Sequence, residues 1–121
     1  MVEIKLDKAK KLLVFRYTGH VGREELKLRL AEVAALAAEL QPGFSLLTDL
    51  AELTSMDVEC AAEIKIVMDL LNLRGVQKVV RVIPDPQKDI GLSILSLFHY
   101  RRRVRIVTCR TMEEALKALE G

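Results

Sequence analysis

Tryptophan is absent from this chain of 121 residues, and the aromatic residues together make up 4% of it. No platform for stacking nucleobases is visible, which argues against nucleic acid as a partner. There are two cysteines, Cys60 and Cys109, too few for a disulfide framework and without metal-ligand spacing. A reduced, cytoplasmic setting is therefore expected. Six glycines and three prolines exclude collagen-like repeats and low-complexity linkers. No stretch approaches the roughly 18 uncharged apolar residues of a membrane span. The opening MVEIKLDKAKKLLVF is charged from its third residue and does not read as a signal peptide. Nineteen basic against seventeen acidic residues leave a net charge of +2, too small to call for a membrane or nucleic-acid surface by itself. GxGxxG, P-loop, CxxC and GxSxG motifs are all missing. His20 and His99 stand far apart and outside any recognisable nucleophile or metal motif. No enzyme, cofactor or metal is expected on these grounds.

Half of the residues are hydrophobic and 30% are charged, the balance of a globular chain, and the length suits one domain over residues 1–121. Val2-Glu3-Ile4-Lys5-Leu6 alternates with period two and predicts a strand, followed after a turn by a second strand over Leu12 to Tyr17. Gly19 to Gly22 reads as a loop, and Arg23 to Leu40 as a helix stopped by Pro42-Gly43. Phe44 to Leu47 is a short strand closing on Thr48-Asp49. A polar interval at Glu52 to Ser55 then leads to a second helix from about Asp57 to Leu73, with Thr54 and Asp57 at capping-box spacing. Val76 to Ile83 is a β-branched run of the kind buried on both faces. Asp85-Pro86 opens a third helix reaching about Tyr100, and Val104 to Thr108 is the last strand. Thr111-Met112-Glu113-Glu114 is a capping box that starts a fourth helix. The order β-β-α-β-α-β-α-β-α predicts an α/β fold with a five-stranded, mostly parallel sheet and an antiparallel strand at one edge.

The segment Thr48-Asp49-Leu50-Ala51-Glu52-Leu53-Thr54-Ser55-Met56-Asp57-Val58-Glu59-Cys60-Ala61 joins the end of a buried strand to the start of a helix. That is the edge where parallel sheets place ligand and partner sites. Strand, Asp-Leu, short loop, Met-Asp and helix together resemble the STAS domain, the sulfate transporter and anti-sigma factor antagonist domain. Pro42-Gly43-Phe44 and the closing Thr-Met-Glu-Glu-Ala-Leu add to the likeness, which is strongest to the sporulation anti-anti-sigma factor group. The resemblance implies a non-catalytic regulatory module that binds a protein partner such as a kinase-type regulator. In signalling members an Asp-Ser-Ser-Gly motif opens this helix, and phosphorylation of its second serine ejects the partner. Here Asp57 matches the aspartate, Val58 and Glu59 stand at the serines, and Cys60 stands at the glycine. Glu59 is either a permanent carboxylate resembling the modified state or the mark of a lost switch, with Ser55 the only nearby serine. The partner-binding residues implied are Asp49, Ser55, Met56, Asp57 and Glu59.

Two features fall outside that likeness. The second and third helices carry more apolar residues than one sheet contact uses, which leaves mutual packing, a homodimer or an apolar ligand open, with Met56 and Met68 suited to an adaptable surface. Arg101, Arg102, Arg103 and Arg105 form a dense basic cluster, read either as a solvated helix end or as an anion site. A small-molecule or lipid carrier with an apolar pocket and this basic rim is the rival reading.

Overall fold

The computed structural model describes residues 1–85 and 104–121. Strand β1 (Val2–Asp7) and strand β2 (Leu12–Val21) form an antiparallel hairpin with Val2 opposite Tyr17 and Asp7 opposite Leu12. Its turn is held by the Lys10 amide, which donates to Asp7 Oδ1 at 3.1 Å, and it places Lys11 in the left-handed region at φ 51°. The strand does not stop at Tyr17, and residues 19–21 are not the expected loop. The inward alternation Leu13, Phe15, Tyr17 resumes at Val21, which is fully buried.

Helix α1 (Arg23–Ala38) turns Leu26, Val33 and Ala37 inward, as the helical spacing requires. Strand β3 (Ser45–Met56) is far longer than the expected strand, and it runs straight through the predicted polar interval. Helix α2 (Cys60–Arg74) starts three residues later than expected and ends on Gly75, left-handed at φ 91°. There the Val76 amide donates to the Leu71 carbonyl at 3.1 Å, closing the helix end. Strand β4 (Lys78–Val82), strand β5 (Arg105–Cys109) and helix α3 (Met112–Glu120) complete the described chain. The predicted helix from Asp85 to about Tyr100 lies on residues outside the described ones, which contain three helices where four were expected.

The strands lie in the order β1-β2-β3-β4-β5, antiparallel between β1 and β2 and parallel elsewhere. This is the mixed five-stranded sheet the element order predicts. One face carries α1 and α2 over a core of Val2, Leu13, Phe15, Phe44, Leu46, Val79 and Leu71. Each such side chain, fully removed from water, contributes roughly 1.5–3 kcal/mol. The other face carries α3, whose Ala115 sits on Leu12, Leu47, Val80, Val82 and Cys109. The Lys78 ammonium donates to the Ala118 carbonyl at 2.8 Å and so complements the negative end of α3. Thr111 caps α3 by accepting from the Glu114 amide at 3.1 Å, as the capping box predicts, while Glu114 reaches the amide of Arg110 at 3.2 Å.

Candidate functional site

The parallel pairing of β3 with β4 runs from Ser45 opposite Lys78 to Asp49 opposite Val82. Beyond Asp49, β3 continues alongside β2, with Glu52 opposite Thr18, Leu53 opposite Gly19, Ser55 opposite His20 and Met56 opposite Val21. Thr54 is the extra residue between the Leu53–Gly19 and Ser55–His20 pairs, a bulge on β3, and Gly19 beside it takes φ 64°. Bulges re-aim side chains at strand ends. Here the result is a cluster: His20 Nδ1 lies 2.6 Å from Ser55 Oγ, and His20 Nε2 lies 3.1 Å from Asp57 Oδ1. The chain crosses from β3 to α2 through Asp57, whose amide donates to the Val21 carbonyl at 3.1 Å.

Asp57 is therefore not the helix-opening residue, and Thr54 with Asp57 does not form a capping box. Thr54 is an exposed strand residue, and the cap position of α2 is Glu59, which makes no side-chain cap bond. The carboxylate of Asp57 is instead given to His20. A residue at position 22 with a Cβ would meet Asp57 Oδ2 at 3.2 Å, so Gly22 allows the two segments to close on one another.

Of the five residues predicted for partner binding, the structure brings Ser55, Met56, Asp57 and Glu59 to one end of the sheet. Val58, at 88% exposure, and Glu59 face solvent, whereas Met56 is half-buried against the core. Asp49 does not join them. It is buried six residues upstream, where Oδ1 accepts from the Ala51 amide at 3.0 Å and Oδ2 lies 3.8 Å from Arg16 Nε. These contacts lie at the last residue pair of β3 with β4. Met68 is 5% exposed and forms core, so it contributes nothing to a surface. The apolar surplus of α2 that does reach solvent is Ile66 and Leu73. Arg105 is an exposed residue of β5, and Arg101, Arg102 and Arg103 lie outside the described residues. Clefts of about 600 and 440 Å³ lie on the α3 side of β1 and β2, lined by Lys5, Lys8, Lys10, Val14 and Leu116 among others, and Arg105 lines neither.

His20 is the residue that sequence reasoning missed. Continuing the alternation from Tyr17 through Gly19 to Val21 would have placed it on a strand end with its side chain facing out. Behind the cluster, Arg23 Nε donates to Glu63 Oε1 at 3.0 Å. This hydrogen bond holds the Glu63 carboxyl below the usual carboxylate range and raises the Arg23 guanidinium. Cys60 is fully buried, with Sγ 3.7 Å from the Val21 carbonyl, and burial followed by the Asp57 charge pushes its thiol up. Burial also pushes the Tyr17 phenol well above its ordinary range. Neither group is poised for nucleophilic work at neutral pH. Among the described residues no group of three His, Cys, Asp or Glu side chains is placed to hold a metal ion, and no helix is long and apolar enough to cross a membrane.

No protein-family model matches the chain, and no curated protein matches it either. Solved structures do. An uncharacterized protein of the DUF3478 family with a SpoIIAA-like fold, from Shewanella loihica, superposes with a TM-score of 0.73 at 13% identity, covering 98% of this chain and 92% of that one. The anti-sigma factor antagonist SpoIIAA in its unphosphorylated form gives 0.68 at 14% identity, covering 100% and 99%. An anti-sigma factor antagonist from Mycobacterium paratuberculosis gives 0.63 at 15% identity, covering 100% and 94%. SpoIIAA from Bacillus in its phosphorylated form also matches, at 0.68. At these identities the likeness is one of fold, and it extends over the whole chain: this protein has the SpoIIAA-like fold of anti-sigma factor antagonists, the STAS fold.

Proposed function

We propose that the protein is a non-catalytic regulatory module that docks a protein partner on the surface running from Ser55 to Glu59. The observation that supports this reading is the junction of β3 and α2. An apolar side chain, Val58, stands almost wholly in solvent beside an exposed carboxylate, Glu59, on a segment anchored from beneath by Met56 and Cys60. An exposed apolar residue rimmed by charge on a rigid junction suits a protein contact. SpoIIAA exists in phosphorylated and unphosphorylated forms. In this chain Glu59 supplies a carboxylate where the resembling motif has its second serine, so its charge is fixed rather than switched. Contact with the partner is then constitutive.

Photo-crosslinking in the native cell tests this. A crosslinker at position 58 gives a discrete protein adduct, a crosslinker at position 28 on α1, which is also largely exposed, gives none, and Glu59→Lys removes the adduct at 58. Equal adducts at both positions, or an adduct indifferent to Glu59→Lys, would sink the reading. An adduct of twice the chain mass identifies the partner as a second copy.

A further inference from the structure

We propose that Ser55 is an activated nucleophile, primed by His20 to accept an acyl group from an activated ester. The hydroxyl of Ser55 and Nδ1 of His20 are 2.6 Å apart, short even for a hydrogen bond involving a hydroxyl. In the tautomer with its proton on Nε2, His20 donates to Asp57 Oδ1 at 3.1 Å, which leaves the Nδ1 lone pair free to accept from Ser55. The three groups thus stand as nucleophile, base and the carboxylate that fixes the base's tautomer. The arrangement depends on the bulge: without the extra Thr54, the register would not set Ser55 opposite His20. Both side chains are open to reagent, since Ser55 is exposed and the imidazole is 56% exposed.

The step is simple. Ser55 Oγ attacks the ester carbonyl carbon while its proton passes to His20 Nδ1. The tetrahedral adduct collapses, the carbon–oxygen bond to the leaving group breaks, and with a p-nitrophenyl ester p-nitrophenolate departs with the electron pair. Ser55 is left acylated, and the imidazolium gives its proton to buffer. Ser55 is also the first residue of the docking surface proposed above, but the step needs no bound partner, so acylation of the purified chain tests it independently of crosslinking at position 58.

The test uses the full chain with p-nitrophenyl acetate, followed by intact mass and peptide mapping. The expected result is one acetyl group on Ser55, absent in Ser55→Ala. His20→Gln is expected to slow that acetylation by about 100-fold, the lower end of what a positioned base contributes. Because His20 is exposed, the variant keeps the wild-type thermal melt, and the melt is recorded alongside. The proposal is overturned if Ser55 stays unmodified while lysines react, or if His20→Gln slows the reaction by less than about tenfold, below what a working base supplies.

Discussion

Arg23 and Glu63 are forty positions apart in sequence, yet the guanidinium Nε of one donates to the carboxylate of the other at 3.0 Å, joining the first turn of α1 to the first turn of α2. The carboxylate side chain is 4% exposed, and its second oxygen, Oε2, has no hydrogen-bond partner among the described residues. The Arg23 hydrogen bond is the largest of the interactions that offset this carboxylate's loss of water, with a backbone hydrogen bond and the Lys27 charge adding to it, so the α1–α2 contact is strongest with Glu63 ionised.

Acid should expose that dependence. The Glu63 carboxyl is held below its ordinary value by the Arg23 hydrogen bond, so the stability it contributes is present above the unfolded value of about 4.3 and is lost as pH falls through the folded one. Urea midpoints measured from pH 7 down to pH 3 should fall more steeply for the wild type than for Glu63→Gln, whose side chain does not titrate. Parallel curves would show that the pair makes no pH-dependent contribution.

Gly75 should tolerate no side chain. Its backbone is left-handed at φ 91°, and an added Cβ would lie 2.8 Å from Pro42 Cβ. Gly75→Ala combines backbone strain with that clash and should cost more than about 1 kcal/mol, read as a lowered urea midpoint at unchanged slope. The Gly43 amide donates to the Gly75 carbonyl at 2.8 Å, so the effect reaches the turn before β3.

The two thiols should be silent in the native state. Cys60 and Cys109 are both buried, and burial raises both above the ordinary thiol value, so the reactive thiolate is scarce at neutral pH. Reaction with a disulfide reagent at pH 7 should proceed at least about 1,000-fold more slowly than in denaturant, the scale set by a rarely populated open state. Rapid native labelling of Cys60 would mean that α2 detaches from β2 far more often than its packing implies.

Much of the fold was legible because its signals are local. The alternation of Val2 to Leu6, the Thr111 capping box and the glycine after Arg74 each mark an element from within a few residues. β3 was misread because its second half has a different environment from its first. Leu46 to Leu50 are buried in succession, but after Leu50 the fully buried positions reduce to Leu53 among exposed neighbours. An outer ribbon of that composition looks like a loop until its partner, the extension of β2, is known. The helix start was misplaced for a related reason. Asp57 has the composition of a cap, yet its carboxylate is claimed by a histidine thirty-seven positions away, a competition that no local spacing reveals.

The placement of α3 has a consequence for how the chain is made. Among the described residues it alone covers the face formed by Leu47, Val80, Val82 and Cys109. α1 and α2 lie on the other face, and both precede β4 in the chain. Among the described residues the opposite face gains its helical cover from residues 112–120, the last element in chain order. A chain cut short inside that segment leaves Leu47, Val80, Val82 and Cys109 without the helix that packs on them, an apolar surface prone to association.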